Sequence, residues 1–381
     1  MSADELRILH TSDVHLGAPF RFLGGRGEEQ RRALRGALER TVALARERDC
    51  RLIVVAGDLF DSAFDARETD VAFAAGCLAG AGSLCRVVIL PGSHDCHAPG
   101  SVLDRERARF EACGSVVVLT PGRPVAVFPD LSLAVHGAVS AAPSPAPGAL
   151  GALAPLPECR YNVCLAHGSV AGAGPALDPR EEPLRLEELC GGFDYVALGH
   201  WHSHRCVRPN GPPAYYSGSP EIVARDQHGA GSVVSVTLSP AGTLVERLDV
   251  GRRRLRRVSI DCTGLETTEE LVRKVACAVE PDPDLIVELE LSGYVGMEAA
   301  MDAEAAVAAL AGSYFSMRLA GGAPAREIAR DELLAVSADT VAGRFARIML
   351  SAIDAAEGAE RALREEALQI GMQVLRGRDP S

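Results

Sequence analysis

TSDVHLG, residues Thr11 to Gly17, follows the strand-like run Leu6–His10 and sets an aspartate and a histidine two positions apart. Side chains of an extended segment alternate with period two, so Asp13 and His15 are expected on one side. Three further segments share this build, each a short apolar run ending in metal-ligand side chains: VVAGDLFD (Val54 to Asp61), PGSHD (Pro91 to Asp95) and ALGHWHSH (Ala197 to His204). LAHG (Leu165 to Gly168) adds another histidine. The candidates are Asp13, His15, Asp58, His94, His167, His200 and His202, a set of carboxylates and imidazoles with no thiolate. Such donors suit borderline to hard divalent cations that activate water, which points to hydrolysis at phosphorus. His200-x-His202 repeats the spacing of Asp13-x-His15, and Asp58 follows Gly57, where glycine permits the sharp turn a metal-bridging carboxylate needs. Any one of these segments is common; their joint occurrence at successive strand ends carries the reading.

The surrounding chain alternates strands and helices. Strands are expected at Leu6–His10, Leu52–Val55 and Val87–Leu90, and helices at Glu28–Glu47 and Thr69–Ala79, an α/β pattern with ligands at the carboxyl ends of strands. Short strands follow between Val116 and Val135, then Tyr161–Leu165 and Tyr195–Leu198. Hairpin-like runs between Ala214 and Val250 suggest a second sheet. Residues 141–159, with five prolines, read as an exposed loop. Beyond Gly251 come a helix at Glu269–Val279, a strand at Leu285–Leu291, a helix at Ala303–Leu310 and a strand at Tyr314–Leu319. Two amphipathic helices then carry Val341, Phe345, Ile348 and Ala352, and Leu363, Ala367, Ile370 and Val374, as their apolar stripes. The expected domains are a catalytic domain over 1–250, a small α/β cap over 251–325 and a helical segment over 326–381.

The 381 residues carry a net charge of −12, which argues against a uniformly basic nucleic-acid surface but leaves room for bound metals and a local basic patch. Eleven cysteines without a C-x-x-C pair read as reduced thiols in a cytoplasmic protein. No apolar stretch is long enough to span a bilayer, and polar Ser2, Asp4 and Glu5 read against a signal peptide. Two divalent ions, Asp13, Asp58 and a bridging hydroxide sum to one positive charge, which attracts a phosphodiester. His94 is then the general acid for the departing oxygen, with Asp95 beside it either to orient the imidazole or to cap the loop.

Taken together, these residues resemble the calcineurin-like metallophosphoesterase superfamily, with its D-x-H, G-D, G-N-H-D, G-H and G-H-x-H segments. TSDVHLG, GDLFD and YSGSPE (Tyr216 to Glu221) are most similar to the SbcD-like DNA repair exonucleases. The resemblance covers roughly the first 250 residues. It implies a four-layer α/β sandwich, two mixed sheets flanked by helices, with a small α/β cap domain and a helical C-terminal tail. It also implies two divalent ions, usually manganese: Asp13, His15, Asp58 and His202 on the first, with Asp58 bridging, and His167 and His200 on the second. Ser93 stands where the family has asparagine and reaches the second ion less directly, since a hydroxyl is shorter and weaker than an amide carbonyl. DNA is the implied substrate and an SbcC-like coiled-coil ATPase the implied partner, docking on helices near the C-terminus; the alternative for the two amphipathic helices is self-packing as a helical hairpin against the cap, a homodimer is compatible with either, and no membrane is involved.

His204 continues the His200/His202 face as a substrate contact. His10 and His136 read as buried or backbone-bonded, Cys96 as incidental, and the arginine run 252–257 as a solvated strand face with phosphate contact as its alternative. Two rivals remain. One is a phosphodiesterase for a small nucleotide-type ester, favoured by the scarcity of stacking aromatics. The other is a weakly active scaffold subunit, suggested by Ser93 and opposed by the retention of His94, His200 and His202.

Overall fold

A computed structural model of the chain describes residues 5–142, 153–172, 183–185, 187, 191–209, 211–225, 229–296, 299–321 and 324–375. Of the Pro-rich stretch 141–159, residues 143–152 lie outside the described residues. The chain forms two compact units, Met1–Leu255 and Arg256–Ser381.

In the first unit, Leu6–Thr11 (β1), Leu52–Ala56 (β2), Arg86–Leu90 (β3) and Val116–Val118 (β4) pair in parallel. Parallel neighbours need crossover connections; Gly27–Glu47 (α1) links β1 to β2, and Glu68–Ala79 (α2) links β2 to β3. The second sheet comprises Val125–Phe128 (β5), Leu133–Gly137 (β6), Tyr161–His167 (β7), Tyr195–Gly199 (β8), Arg205–Arg208 (β9) and Ala214–Tyr216 (β10). Ser232–Ser239 (β11) and Gly242–Asp249 (β12) form a hairpin. The sheet orders are β12-β11-β1-β2-β3-β4 and β5-β6-β7-β8-β10-β9. Both sheets are mixed, because β11 runs antiparallel to β1, and β5 and β9 antiparallel to β6 and β10.

The hairpin expected between Ala214 and Val250 therefore does not found a second sheet. It pairs with the open edge of β1, and the second sheet is built largely from the strands before it. Which free edge a hairpin joins is a non-local choice that its own residues do not encode.

Alternation explains the sandwich. Leu6 and Ile8 of β1, Leu52, Val54 and Ala56 of β2, and Val88 and Leu90 of β3 face Leu133, Val135, Val163, Leu165, Tyr195 and Ala197 of the second sheet in one apolar core. The intervening Leu9, Ile53, Val55, Val87 and Ile89 are also buried, on the opposite face of the first sheet. Strands buried on both faces read as the unbroken apolar run LIVVA. Helix α1 turns Ala33, Leu34, Ala37, Leu38 and Val42 inward, the spacing of an amphipathic helix. The outer face of the second sheet, Ala166, Val196 and Leu198, packs with Leu184, Phe193 and Trp201. The result is the α/β sandwich of two mixed sheets flanked by helices.

The second unit holds Arg254–Asp261 (β13), Asp282–Ser292 (β14), Tyr294–Val295 (β15), Tyr314–Leu319 (β16) and Ala325–Arg326 (β17), with β13-β14-β16 as one sheet. Leu271 and Val275 of helix Thr268–Ala278 and Ala306 and Leu310 of helix Ala303–Leu310 cover it. Thr267 and Glu270 close a capping box at the start of the first of these helices.

Helices Val341–Asp354 and Gly358–Leu375 pack together through Ala346, Leu350, Ile353, Leu368 and Met372. The expected stripes lie mostly elsewhere: Val341 is 74% exposed, Ile348 68% and Leu363 66%. Each helix is apolar on more than one face, so periodicity alone could not choose the buried one. No helix among the described residues is long and apolar enough to cross a membrane.

The arginine run also departs from a uniform solvated face. Arg257 pairs with Glu288 and Glu290, whereas the Arg253 side chain is buried against Glu29 in the first unit. Glu221 accepts the backbone amides of Arg252 and Arg253, which turns Arg253 inward.

Candidate metal centre

The loops that leave β1 and β2 keep pairing beyond the strands. Asp13 N donates to Gly57 O at 3.0 Å, His15 N to Asp58 O at 3.0 Å and Leu16 N to Leu59 O at 2.9 Å. The backbone is not extended there: φ is +53° at Asp13, +52° at His15, +54° at Asp58 and +103° at His200. Left-handed conformations cost non-glycine residues on the order of 1–2 kcal/mol each, so they persist only where surrounding bonds dictate them. The expected period-two route to a shared side for Asp13 and His15 is thus replaced by two left-handed turns that aim both side chains inward. A Cβ on Gly57 would lie 2.1 Å from His167 Nδ1, and one on Gly92 would lie 2.2 Å from Asp58 Oδ1. Only glycine lets the ends of β2, β3 and β7 converge this closely.

Asp58 sits at the centre. Its Oδ2 lies 3.1 Å from His167 Nε2 and 3.7 Å from His15 Nε2, and accepts the Ser93 hydroxyl at 3.2 Å. Its Oδ1 accepts His94 N at 2.7 Å. The Ser93 hydroxyl is also 3.4 Å from His167 Nε2. On the other side His15 Nε2 meets His202 Nε2 at 3.1 Å, and His202 Nε2 is 3.9 Å from Asp13 Oδ1. The His200 ring stands edge-on to His167, with centroids 5.4 Å apart. Three groups have ligand atoms within 4.8 Å of one another: Asp13, His15 and His202; His15, Asp58 and His94; Asp13, Asp58 and His167.

Burial alone would raise the Asp58 carboxyl, but His167, His15 and His94 override it and hold Asp58 well below the usual carboxylate range. Burial likewise opposes the charged form of His167, yet Asp58 and Asp13 push it up to about 10. Burial and the charge of His15 hold His202 neutral, while Asp61, Asp58 and Asp13 raise His15 against its own desolvation. The two facing nitrogens stand at hydrogen-bonding distance, 3.1 Å. Imidazole nitrogens of His15, His202 and His167 and oxygens of two aspartates converge within 4.8 Å of one another in overlapping groups, so the donor set fits a divalent cation.

Asp95 is fully buried and accepts the amides of Gly92 at 2.7 Å and Phe60 at 3.1 Å, with Asp58 N at 3.3 Å. Burial and the nearby Asp58 charge push its carboxyl up to about 6. These are the bonds of a loop cap. The His94 ring is oriented by another group: its Nδ1 donates to the Asp61 carbonyl at 3.0 Å. Asp61, which also lies 3.4 Å from His15 Nδ1, is not singled out by the sequence reading, although it closes the quoted segment VVAGDLFD. His204 stacks on Tyr215, with centroids 5.9 Å apart. His10 is buried against the Tyr195 hydroxyl at 2.9 Å, and burial pushes it down to about 3. His136 bonds the Asn162 side-chain oxygen at 3.0 Å. Neither joins the cluster.

The YSGSPE segment acts as a brace. The Ser217 and Ser12 hydroxyls meet at 2.8 Å, and Ser12 donates to Asp13. Asp13 in turn accepts His200 N at 2.9 Å. Ser219 N donates to His202 O at 2.9 Å. The Tyr216 hydroxyl donates to Gly168 O at 2.8 Å, beside His167.

The chain belongs to the calcineurin-like phosphoesterase family, whose pattern matches residues 6–204 and so takes in every segment that carries a candidate ligand. It is 28% identical over 298 residues to the DNA double-strand break repair protein Mre11 of Methanopyrus kandleri, across 71% of this chain and 62% of that protein. It is 27% identical to the protein of the same name from Methanosarcina mazei, across 76% of this chain and 45% of that protein. The chain thus spans less than two thirds of the length of either relative. A crystal structure from Thermus thermophilus overlaps 64% of this chain and 99% of its own, at 14% identity and a TM-score of 0.40.

Proposed function

We propose that this chain is a metal-dependent nuclease that hydrolyses DNA phosphodiesters in double-strand-break repair. The observation that carries the reading is the convergence of Asp13, His15, Asp58, His94, His167 and His202 in overlapping ligand groups. The two Mre11 relatives support DNA as the substrate. Asp13, His15, Asp58 and His202 would hold the first ion, with Asp58 shared, and His167, His200 and Ser93 the second; manganese is the metal we favour. When bound, the ions polarise the phosphate and lower the pKa of water.

The chain's own groups do the rest. Asp58 is kept anionic by its imidazole neighbours and so remains a ligand at neutral pH. His94, exposed and anchored through Nδ1, keeps Nε2 as the atom that passes a proton to the leaving oxygen. His204 flanks the centre as a substrate contact, and Asp95 serves by holding the Gly92–His94 loop. The exposed apolar side chains Val341 and Ile348 on one C-terminal helix and Leu363 on the next support docking of a coiled-coil ATPase there.

The test is an assay of linear duplex, single-stranded and circular DNA and of a chromogenic diester, with and without manganese, at fixed low salt. Manganese-dependent cleavage of linear DNA is expected. Turnover of the small diester without DNA cleavage would favour a small nucleotide-type ester as substrate, and no turnover at all would favour a scaffold.

A further inference from the structure

Trp201, the residue between His200 and His202, is the centre of a stack. Its ring lies on Tyr216 with centroids 5.3 Å apart and planes 18° off parallel. Its Nε1 donates to the Ser169 hydroxyl at 3.1 Å, which fixes the ring in plane and ties the His200–His202 loop to the loop that follows His167. Arg205, the first residue of β9, pairs across the sheet with Tyr216. The Arg205 guanidinium carbon sits 5.3 Å from the centroid of the Trp201 ring.

The Arg205 side chain is exposed, and no acidic side chain pairs with it among the described residues. Arg48, Arg109, Arg123, Arg257, Arg318 and Arg330 all have carboxylate partners. In a chain of net charge −12, a cation with no carboxylate on it among the described residues, beside a centre for anionic substrate, is the feature that local attraction requires. Arg205 stands three positions after His202, so their Cα atoms are at most about 11 Å apart. On each strand of a duplex phosphates recur every ~3.4 Å of helix axis, so a phosphate beside one at the metal centre lies within the span of this loop and the Arg205 side chain. A guanidinium held by an aromatic ring keeps its N–H fork pre-set for bidentate phosphate binding.

Resting on the nuclease reading, we infer that Arg205, its orientation set by Trp201, grips a backbone phosphate next to the one being hydrolysed. The contact is with the backbone and is indifferent to base sequence.

The test uses the full chain with Arg205→Ala and Arg205→Lys, reading the affinity for a labelled DNA oligonucleotide by anisotropy across a salt series, with melting temperature as the check on folding. Arg205→Ala should weaken binding about 10- to 100-fold and reduce the slope of log affinity against log salt by about 1, equally for oligonucleotides of different sequence. Arg205→Lys should restore the slope, because the charge returns, but only part of the affinity, because the fork does not. Wild-type affinity and slope in Arg205→Ala, or a slope that Arg205→Lys fails to restore, would overturn the inference while leaving the nuclease reading intact. A wild-type chain that neither binds nor cleaves DNA would overturn both.

Discussion

His15 Nε2 and His202 Nε2 face one another at 3.1 Å although 187 positions separate the two residues in the chain. One lies at the end of β1 in the first sheet and the other past β8 in the second. The candidate metal centre is therefore a product of sheet-on-sheet packing, with each sheet delivering part of the candidate ligand set.

Asp58 is the residue on which both halves of this set depend. Asp58→Asn removes the anionic oxygen that His15, His167 and Ser93 all approach. Manganese stoichiometry measured by calorimetry should fall and hydrolysis should collapse, with the fold retained by circular dichroism. Full stoichiometry with near-normal turnover would remove Asp58 from the shared position.

His94→Gln should leave metal binding largely intact, since the Nδ1 bond to Asp61 O occupies one ring nitrogen and Asp13, His15, Asp58 and His202 remain to hold the first ion. Hydrolysis of DNA should slow by about 10²–10⁴-fold, and the loss should shrink on an aryl diester whose leaving group needs no proton. Equal losses on both substrates would mean that His94 positions phosphate instead.

Ser93 places a hydroxyl 3.2 Å from Asp58 Oδ2 and 3.4 Å from His167 Nε2. If that hydroxyl is the weaker ligand, Ser93→Asn should tighten the second manganese site and raise turnover when manganese is limiting. The gain should fade at saturating metal unless the amide also contacts the phosphate in the transition state. Unchanged affinity and rate would make serine a competent replacement.

Glu288, buried in β14, accepts from both Arg257 and Arg318. Burial alone would raise its carboxyl, but Arg318 first and then Arg257 bring it below the usual glutamate value. Because the native value is lowered, this stabilisation is present above about pH 4.3, the ordinary glutamate value, and is lost as pH falls through the native one. Glu288→Gln should cost the second unit about 1.5–3 kcal/mol at neutral pH and far less in acid. Urea denaturation of both proteins at about pH 7 and about pH 3 checks this; an equal cost at the two pH values would show that charge is not the cause.

The donor chemistry and its order along the chain are legible in the residues alone. An apolar run that stops at Asp-x-His, Gly-Asp, Ser-His-Asp or Gly-His-x-His is a local pattern, and the central strands β1, β2, β3, β7 and β8 all stand where such runs predict them. Tertiary structure decided how those donors meet. The left-handed turns at Asp13, His15 and Asp58 are imposed by hydrogen bonds to a neighbouring loop, as with Asp13 N to Gly57 O, which no window of sequence contains. It also decided that Asp95 caps backbone amides while the Asp61 carbonyl orients His94, that the β11–β12 hairpin completes the first sheet, and that Val341 and Ile348 face outward. Each of these turns on which of several chemically acceptable partners comes within reach. Composition and periodicity report what a residue can bond to, whereas only the packing of the two sheets settles what lies beside it.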